Sequence, residues 1–171
     1  DKELRDITFS FIIAGKDTTA QMLSWFMYHL CTNNLTEIFD KIREEIKNVF
    51  GTDDNDKLKL SYENVNKCQY IECCLKESLR LYPSVPHLVR EAMKDIETPN
   101  GYTIRKGDEV MISTYAMGRM PWIWKEPLKF KPERFMDNKN QPDPSKYPAF
   151  NIAPRICLGK HVALLEGKIA V

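Results

Sequence analysis

The chain has 171 residues, 43% apolar and 29% charged, enough to bury one sizeable core and too hydrophobic for a disordered segment. Its formal net charge of +1 excludes a whole-chain electrostatic case for nucleic acid or for an acidic membrane surface. Its longest apolar run, residues 7–14, is interrupted by Thr8 and Ser10 and falls far short of the roughly 20 residues that span a bilayer.

No signal peptide or lipidation motif is recognisable. There is no initiator methionine, and the chain stops at Val171 within a helical pattern. Residues 1–171 are therefore expected to be part of a single domain. The five cysteines, Cys31, Cys68, Cys73, Cys74 and Cys157, are an odd set with two adjacent, which suits a reducing compartment better than a disulfide framework. A zinc site from Cys68, Cys73, Cys74 and a distant histidine is disfavoured, because no Cys-x-x-Cys pair exists.

Along the chain, Leu4, Ile7, Phe11, Ala14, Leu23, Phe26, Met27 and Leu30 recur at helical spacing and predict one long helix over residues 2–31. Within it, the stretch Ala14-Gly15-Lys16-Asp17-Thr18-Thr19 is a weak point. Glycine costs about 1 kcal/mol in a helix relative to alanine, and a threonine hydroxyl can bond the carbonyl four residues back, here that of Ala14, and bend the helix. Two readings stand side by side: a tolerated imperfection in a buried helix, or a helix opened over a cofactor with a hydroxyl and a carboxylate at the opening.

Asn33-Asn34 predicts a stop. Leu35, Ile38, Phe39, Ile42, Ile46 and Val49 then mark the apolar face of a second helix ended by Gly51, with a polar loop over residues 52–59. A short helix is expected over residues 61–66 and a firmer one over residues 70–81, closed before Pro83. On the firmer helix Glu77 and Arg80 lie three apart and share a face. The surrounding Cys73, Cys74, Leu75, Leu79 and Leu81 predict burial, which would require the pair to be fully hydrogen-bonded.

From Val85 the pattern becomes strand-like. Residues 96–98, a Pro99-Asn100-Gly101 turn and residues 102–104 predict a hairpin, and Lys106-Gly107-Asp108 turns into a strand over residues 109–114. Residues 121–148, rich in proline and tryptophan and poor in periodicity, predict a functional meander rather than a linker. The fold class is mainly α with a small β region.

The last loop, Phe150-Asn151-Ile152-Ala153-Pro154-Arg155-Ile156-Cys157-Leu158-Gly159, precedes a helical pattern carried by Val162, Ala163, Leu164, Leu165, Ile169 and Ala170. A thiolate at a helix N-terminus gains from unpaired backbone N–H groups and the helix dipole, and Arg155 adds a cation, which suits a metal ligand. A buried structural cysteine is the competing reading.

The loop resembles the haem-binding signature of the cytochrome P-450 family, Phe-x-x-Gly-x-Arg-x-Cys-x-Gly. Phe150, Arg155, Cys157 and Gly159 match, and Ala153 stands where that family has glycine. Three further fragments fall in the family's order. Residues 14–19 resemble the oxygen-activation motif of its long distal helix, Glu77-Ser78-Leu79-Arg80 its Glu-x-x-Arg helix, and Pro132-Glu133-Arg134-Phe135 its meander motif. Short strands, the cysteine loop and the start of a last helix complete the C-terminal part of that fold.

The resemblance implies that Cys157 is the thiolate ligand of haem iron, where its electron donation favours O–O cleavage. Phe150 would shield the sulfur, Gly159 belongs to the same signature, and Arg155 would pair with one haem propionate and Arg90 with the other. It further implies that Thr18 holds water or dioxygen by hydrogen bonding while Asp17 delivers protons. Glu77, Arg80 and Arg134 would form a structural charge network. Phe11, Ala14, Ser84, Val85, His87 and Leu88 would line the substrate pocket.

Residues 14–28 and 115–124 also resemble the plant-type fatty-acid omega-hydroxylases, which implies a long-chain fatty acid as substrate. The implied partners are an NADPH-dependent cytochrome P-450 reductase, which supplies the electrons and for which Lys160 is a candidate docking charge, and an apolar small molecule, with no nucleic acid. The implied location is the cytosolic face of the endoplasmic reticulum membrane, through an anchor absent from this chain. An enzyme of the same fold that rearranges peroxides, or a non-catalytic remnant, are the alternatives. The full-length protein is expected to be the active form and the isolated stretch inactive. The glycine-to-alanine change at Ala153 is expected to strain the loop through a positive φ.

Overall fold

The computed structural model describes residues 1–32, 35–51, 60–137 and 142–171. The Asn33-Asn34 stop and the loop over residues 52–59 lie outside the described residues. The structure is mainly helical with a small β region, as the periodicity predicts.

Helix α1 (Lys2–Thr32) runs unbroken through Gly15. The expected back-bond is present, Thr18 Oγ1 donating to the Ala14 carbonyl at 2.8 Å, yet it does not open the helix. One hydrogen bond and one glycine are too small a perturbation against the ladder on either side. Within this chain residues 1–17 are exposed, and buried positions begin at Thr19 and continue with Met22, Phe26 and His29.

The core forms around α4 (Gln69–Leu81), whose Ile71, Cys74, Leu75 and Leu79 are all buried. Helix α2 (Thr36–Phe50) lays Ile38 and Ile42 into the same core, and it ends at Gly51, whose φ of 55° is the left-handed conformation glycine adopts without penalty. Helix α3 (Tyr62–Lys67) starts at Ser61, whose hydroxyl accepts from the Asn64 N–H at 3.1 Å.

Cys68 gives α4 no side-chain cap. The Glu45 carboxylate reaches across from α2 instead and accepts from the Tyr70 N–H at 2.7 Å and the Ile71 N–H at 2.9 Å. Two otherwise unpaired donors and the positive end of the helix dipole are satisfied by one side chain.

Two short antiparallel pairs follow. β1 (His87–Glu91) pairs with the later strand β4 (Glu109–Ser113), Val89 opposite Met111, and β2 (Ile96–Glu97) pairs with β3 (Thr103–Ile104) in the predicted hairpin. The strand predicted over residues 109–114 stops one residue early. Ser113 caps a one-turn helix, α5 (Thr114–Met117), by accepting from the Ala116 N–H at 3.2 Å. Such a turn is too short to show periodicity in the sequence.

The meander is irregular apart from a 3-10 turn (Pro132–Phe135). It is held to α4 by a second cluster of Cys73, Trp124 and Phe135, with Tyr147 packed against it. Helix α6 (Lys160–Ala170) seats through Gly167, where a Cβ would stand 2.7 Å from Leu75 Cδ1 and 2.9 Å from Met22 Cε. The α6 backbone thus packs against the ends of the Leu75 and Met22 side chains, which would have to shift to admit a side chain at 167.

His29 is 5% exposed and packs 5.0 Å from both the Tyr82 and Phe130 rings. Burial, and after it the charges of Arg119 and Arg80, lower its pKa from 6.5 to about 4. The unfolded chain takes up a proton near pH 6.5 while the folded chain does not, so stability is lost as pH falls from 6.5 toward 4, by up to roughly 3 kcal/mol. In urea melts of the full-length protein at pH 7 and pH 4.5, His29→Phe should flatten this dependence. Parallel pH curves for the two proteins would show that His29 does not contribute to it.

Candidate active site

Glu77 is the hub of a buried charge network. Its Oε2 accepts from Arg80 Nε at 2.8 Å, and its Oε1 from Arg80 Nη2 at 2.8 Å, from Arg134 Nε at 3.2 Å and from the Lys131 N–H at 2.8 Å. The Glu77 and Arg80 side chains are wholly inaccessible, and that of Arg134 is 13% exposed. The three residues singled out from the sequence thus meet, although Arg134 lies far along the chain.

The remaining guanidinium donors are met by backbone. Arg80 donates to the carbonyls of Gly118, of Pro127 at 2.8 Å and of Lys129 at 3.2 Å, and Arg134 Nη2 to that of Glu126 at 2.8 Å. Sequence reasoning missed these acceptors, because a backbone carbonyl carries no side-chain signal. One trace is legible afterwards: Gly118 allows a close approach, since a Cβ there would stand 2.0 Å from the Arg80 carbonyl oxygen.

Glu126 is the hinge of that cradle. Its φ of 50° is unusual for a residue with a side chain. Its carboxylate lies between Lys129, at 2.6 Å, and Lys131. Hydrogen bonds from these two lysines lower its pKa to about 2, so the clamp is charged at any physiological pH.

The cysteine loop leaves this framework at Phe150, which packs against the core and whose carbonyl accepts from the Cys157 N–H at 2.8 Å. That bond closes the loop and fixes where Cys157 stands. Cys157 itself is exposed. Gly159 is the N-cap of α6, where a Cβ would come within 4.0 Å of the sulfur.

The strain expected at Ala153 is not there. The left-handed residue is Asn151, φ 60°, two positions earlier, and Ala153 is joined to Pro154 by a cis peptide bond. Asparagine tolerates this conformation better than most residues, and its Oδ1 accepts from the Ile152 N–H at 2.9 Å. The loop turns at a residue suited to it, and alanine at 153 has no positive φ to bear.

Arg155 is exposed. Arg90, on β1, is exposed and donates to the neighbouring Val89 carbonyl at 2.7 Å. Asp17 is exposed and Thr18 half-buried; Phe11, Ala14, Val85 and His87 are exposed, and Ser84 and Leu88 half-buried. No hydrogen bond or ion pair joins Asp17, Thr18, Arg90, Arg155 and Cys157 to one another among the described residues. The structure brings Ser84 to α1, its Oγ donating to the Thr18 carbonyl at 2.8 Å.

The family model for cytochrome P-450 matches residues 1–171. The chain belongs to the cytochrome P-450 family. It is 39% identical to cytochrome P-450 704C1 of Pinus taeda over 99% of its own length and 35% of the relative's. It is 41% identical to cytochrome P-450 86B1 of Arabidopsis thaliana, covering 98% of the chain and 32% of that protein. It is 38% identical to the alkane hydroxylase MAH1 of Arabidopsis thaliana, covering 99% and 32%. The chain therefore spans about a third of the length of the curated relatives it matches.

The residues present fit the haem this P-450 family implies. Among the described residues no three His, Cys, Asp or Glu side chains converge to cage an ion. A lone exposed thiol suits a metal whose other ligands come from a macrocycle. Around Cys157, Ile152, Ile156, Leu158 and Val162 are 40%, 53%, 81% and 58% exposed, the apolar surroundings a flat porphyrin would cover. Arg155 supplies a cation for a carboxylate beside them.

Proposed function

We propose that the full-length protein is a haem-thiolate monooxygenase that hydroxylates an apolar substrate, a long-chain fatty acid at or near its methyl end. The observation that carries this is the exposed Cys157 thiol, held on a closed loop at the start of α6 in a member of the cytochrome P-450 family. A relative bearing the name alkane hydroxylase supports a substrate with an unbranched hydrocarbon chain.

In this reading Cys157 ligates the iron through its thiolate, Phe150 shields the sulfur, and Arg155 and Arg90 pair with the propionates. Haem, when bound, supplies the activation of dioxygen. Thr18 Oγ1 spends its proton on the Ala14 carbonyl, so its lone pairs remain to accept from a water and hold that water where it can donate onward. Asp17, exposed one residue earlier, exchanges protons with solvent and replenishes them. Glu77, Arg80 and Arg134 fix the meander against α4. Phe11, Ala14, Val85, His87 and Leu88 are the wall residues available to the substrate.

Electrons would come from NADPH through a cytochrome P-450 reductase, with Lys160 among the docking charges. Among the described residues no helix is long and apolar enough to cross a membrane. Attachment to the cytosolic face of the endoplasmic reticulum would rest on an anchor outside this chain.

The test is the absorption spectrum of the reduced, carbon-monoxide-bound full-length protein. A strongly red-shifted Soret band, lost in Cys157→Ser, is expected. A band that survives the substitution would remove Cys157 as the ligand. Turnover of a lipid hydroperoxide without NADPH, and none of a fatty acid with it, would favour the peroxide-rearranging alternative.

A further inference from the structure

Ser84 was expected in the pocket wall, yet its hydroxyl is committed elsewhere. It donates to the Thr18 carbonyl at 2.8 Å, an oxygen that the α1 ladder also directs toward the N–H four residues on. The bond falls where α1 changes character, residues 1–17 being exposed and Thr19 and Met22 buried. Along α1 the side-chain bonds of Thr8, Ser10, Thr18, Ser24 and Thr32 go to the carbonyls of Leu4, Asp6, Ala14, Ala20 and Tyr28 and stay within the helix. Thr19 Oγ1 is buried without a hydrogen-bond partner. Ser84 supplies at this boundary the polar tie from another element that Thr19 does not.

The other end of the tie is firmly held. Ser84 sits between Pro83 and Pro86, whose fixed φ stiffens the segment. Arg119 donates to the Leu81 carbonyl, Thr114 Oγ1 to that of Val85 at 2.7 Å, and the Tyr115 N–H to that of Pro86 at 3.4 Å. The segment carrying Ser84 is thus pinned on one side by Arg119, which follows α5, and on the other by α5 itself, and it pins α1 in turn.

We propose that Ser84 is a positioning residue for Thr18, its hydroxyl fixing where Thr18 Oγ1 and Asp17 stand and so governing how efficiently reducing equivalents end in product. The proposal rests on the monooxygenase reading, and its test separates the two. In the full-length protein, Ser84→Ala removes the tie and Ser84→Thr keeps a hydroxyl. Hydrogen–deuterium exchange reads the helix without reference to turnover. Loss of one neutral hydrogen bond should speed exchange in residues 18–22 about fivefold in Ser84→Ala, with Ser84→Thr near wild type.

Product formed per NADPH from a long-chain fatty acid reads the chemistry. It should fall several-fold in Ser84→Ala, with the remainder appearing as hydrogen peroxide, and recover in Ser84→Thr. Unchanged exchange and coupling in Ser84→Ala would overturn the proposal, and so would an equal loss in Ser84→Thr. A change confined to KM would return Ser84 to the pocket wall. A wild-type protein without the thiolate Soret band would overturn the monooxygenase reading and the coupling claim with it, while exchange still decides whether the hydroxyl holds the helix.

Discussion

Glu77→Ala is expected to abolish haem incorporation and most soluble full-length protein, rather than yield a slow but folded enzyme. The carboxylate is the acceptor for two guanidinium groups and one backbone N–H at once. Removing it leaves the Arg80 charge in a place with no water, where the neighbouring carbonyls meet its donors but not its charge. Breaking a buried pair in this one-sided way costs about 3–5 kcal/mol, against a total stability of about 5–15 kcal/mol for a typical domain. The damage would also be directional, since the Lys131 N–H and Arg134 are the points at which Glu77 holds the meander to α4. Glu77→Gln, which keeps an acceptor oxygen and the volume, should be milder. Expression yield and the Soret-to-protein absorbance ratio measure both effects. A soluble, haem-loaded Glu77→Ala protein would mean that the backbone cradle holds the arginines unaided.

The elements legible in the sequence were those whose cause is local. The apolar spacing of α2, Gly51 at its end, Ser61 before α3 and Pro83 after α4 each act within a turn or two of their own position, and each stands where the pattern predicts it. What escaped depends on partners distant in the chain. The Glu45 carboxylate that caps α4 lies on another helix. The carbonyls of Glu126, Pro127 and Lys129 become acceptors only after the meander folds back.

The candidate site divides along the same line. Glu77 and Arg80 share a helix face by spacing alone, but their burial follows from Trp124 and the meander closing over them: the Arg80 guanidinium lies 5.2 Å from the Trp124 ring centroid. The cysteine loop shows the opposite failure. Ala153 is the position that departs from the family motif, while the residue that bears the left-handed turn, Asn151, lies two places away. A motif records which residue type is usual at a position and does not record which position carries the strain. The place of Ser84 in the chain suggests a wall residue but carries no sign of the bond its hydroxyl makes to the Thr18 carbonyl, which depends on α1 lying alongside.

Thr18→Ala is expected to keep the fold and the haem while diverting reducing equivalents to hydrogen peroxide. Alanine is the better helix former by several tenths of a kcal/mol, and the bond lost, from Oγ1 to the Ala14 carbonyl, is one that slightly weakens a helix rather than one that holds it. Thermal stability should therefore stay level or rise, which separates this substitution from Glu77→Ala. What disappears is the oxygen that would hold a proton-donating water in place. Organised proton transfer is worth on the order of 10²–10⁴ in rate, enough for the unassisted release of peroxide to overtake it. Thr18→Ser, which restores a hydroxyl on the same Cβ, should recover most of the coupling. The measurement is product and peroxide formed per NADPH in the three proteins, alongside their melting temperatures and carbon-monoxide spectra. Unchanged product per NADPH in Thr18→Ala would remove Thr18 from the proton path. A parallel fall in melting temperature and haem content would instead make it a structural residue of α1.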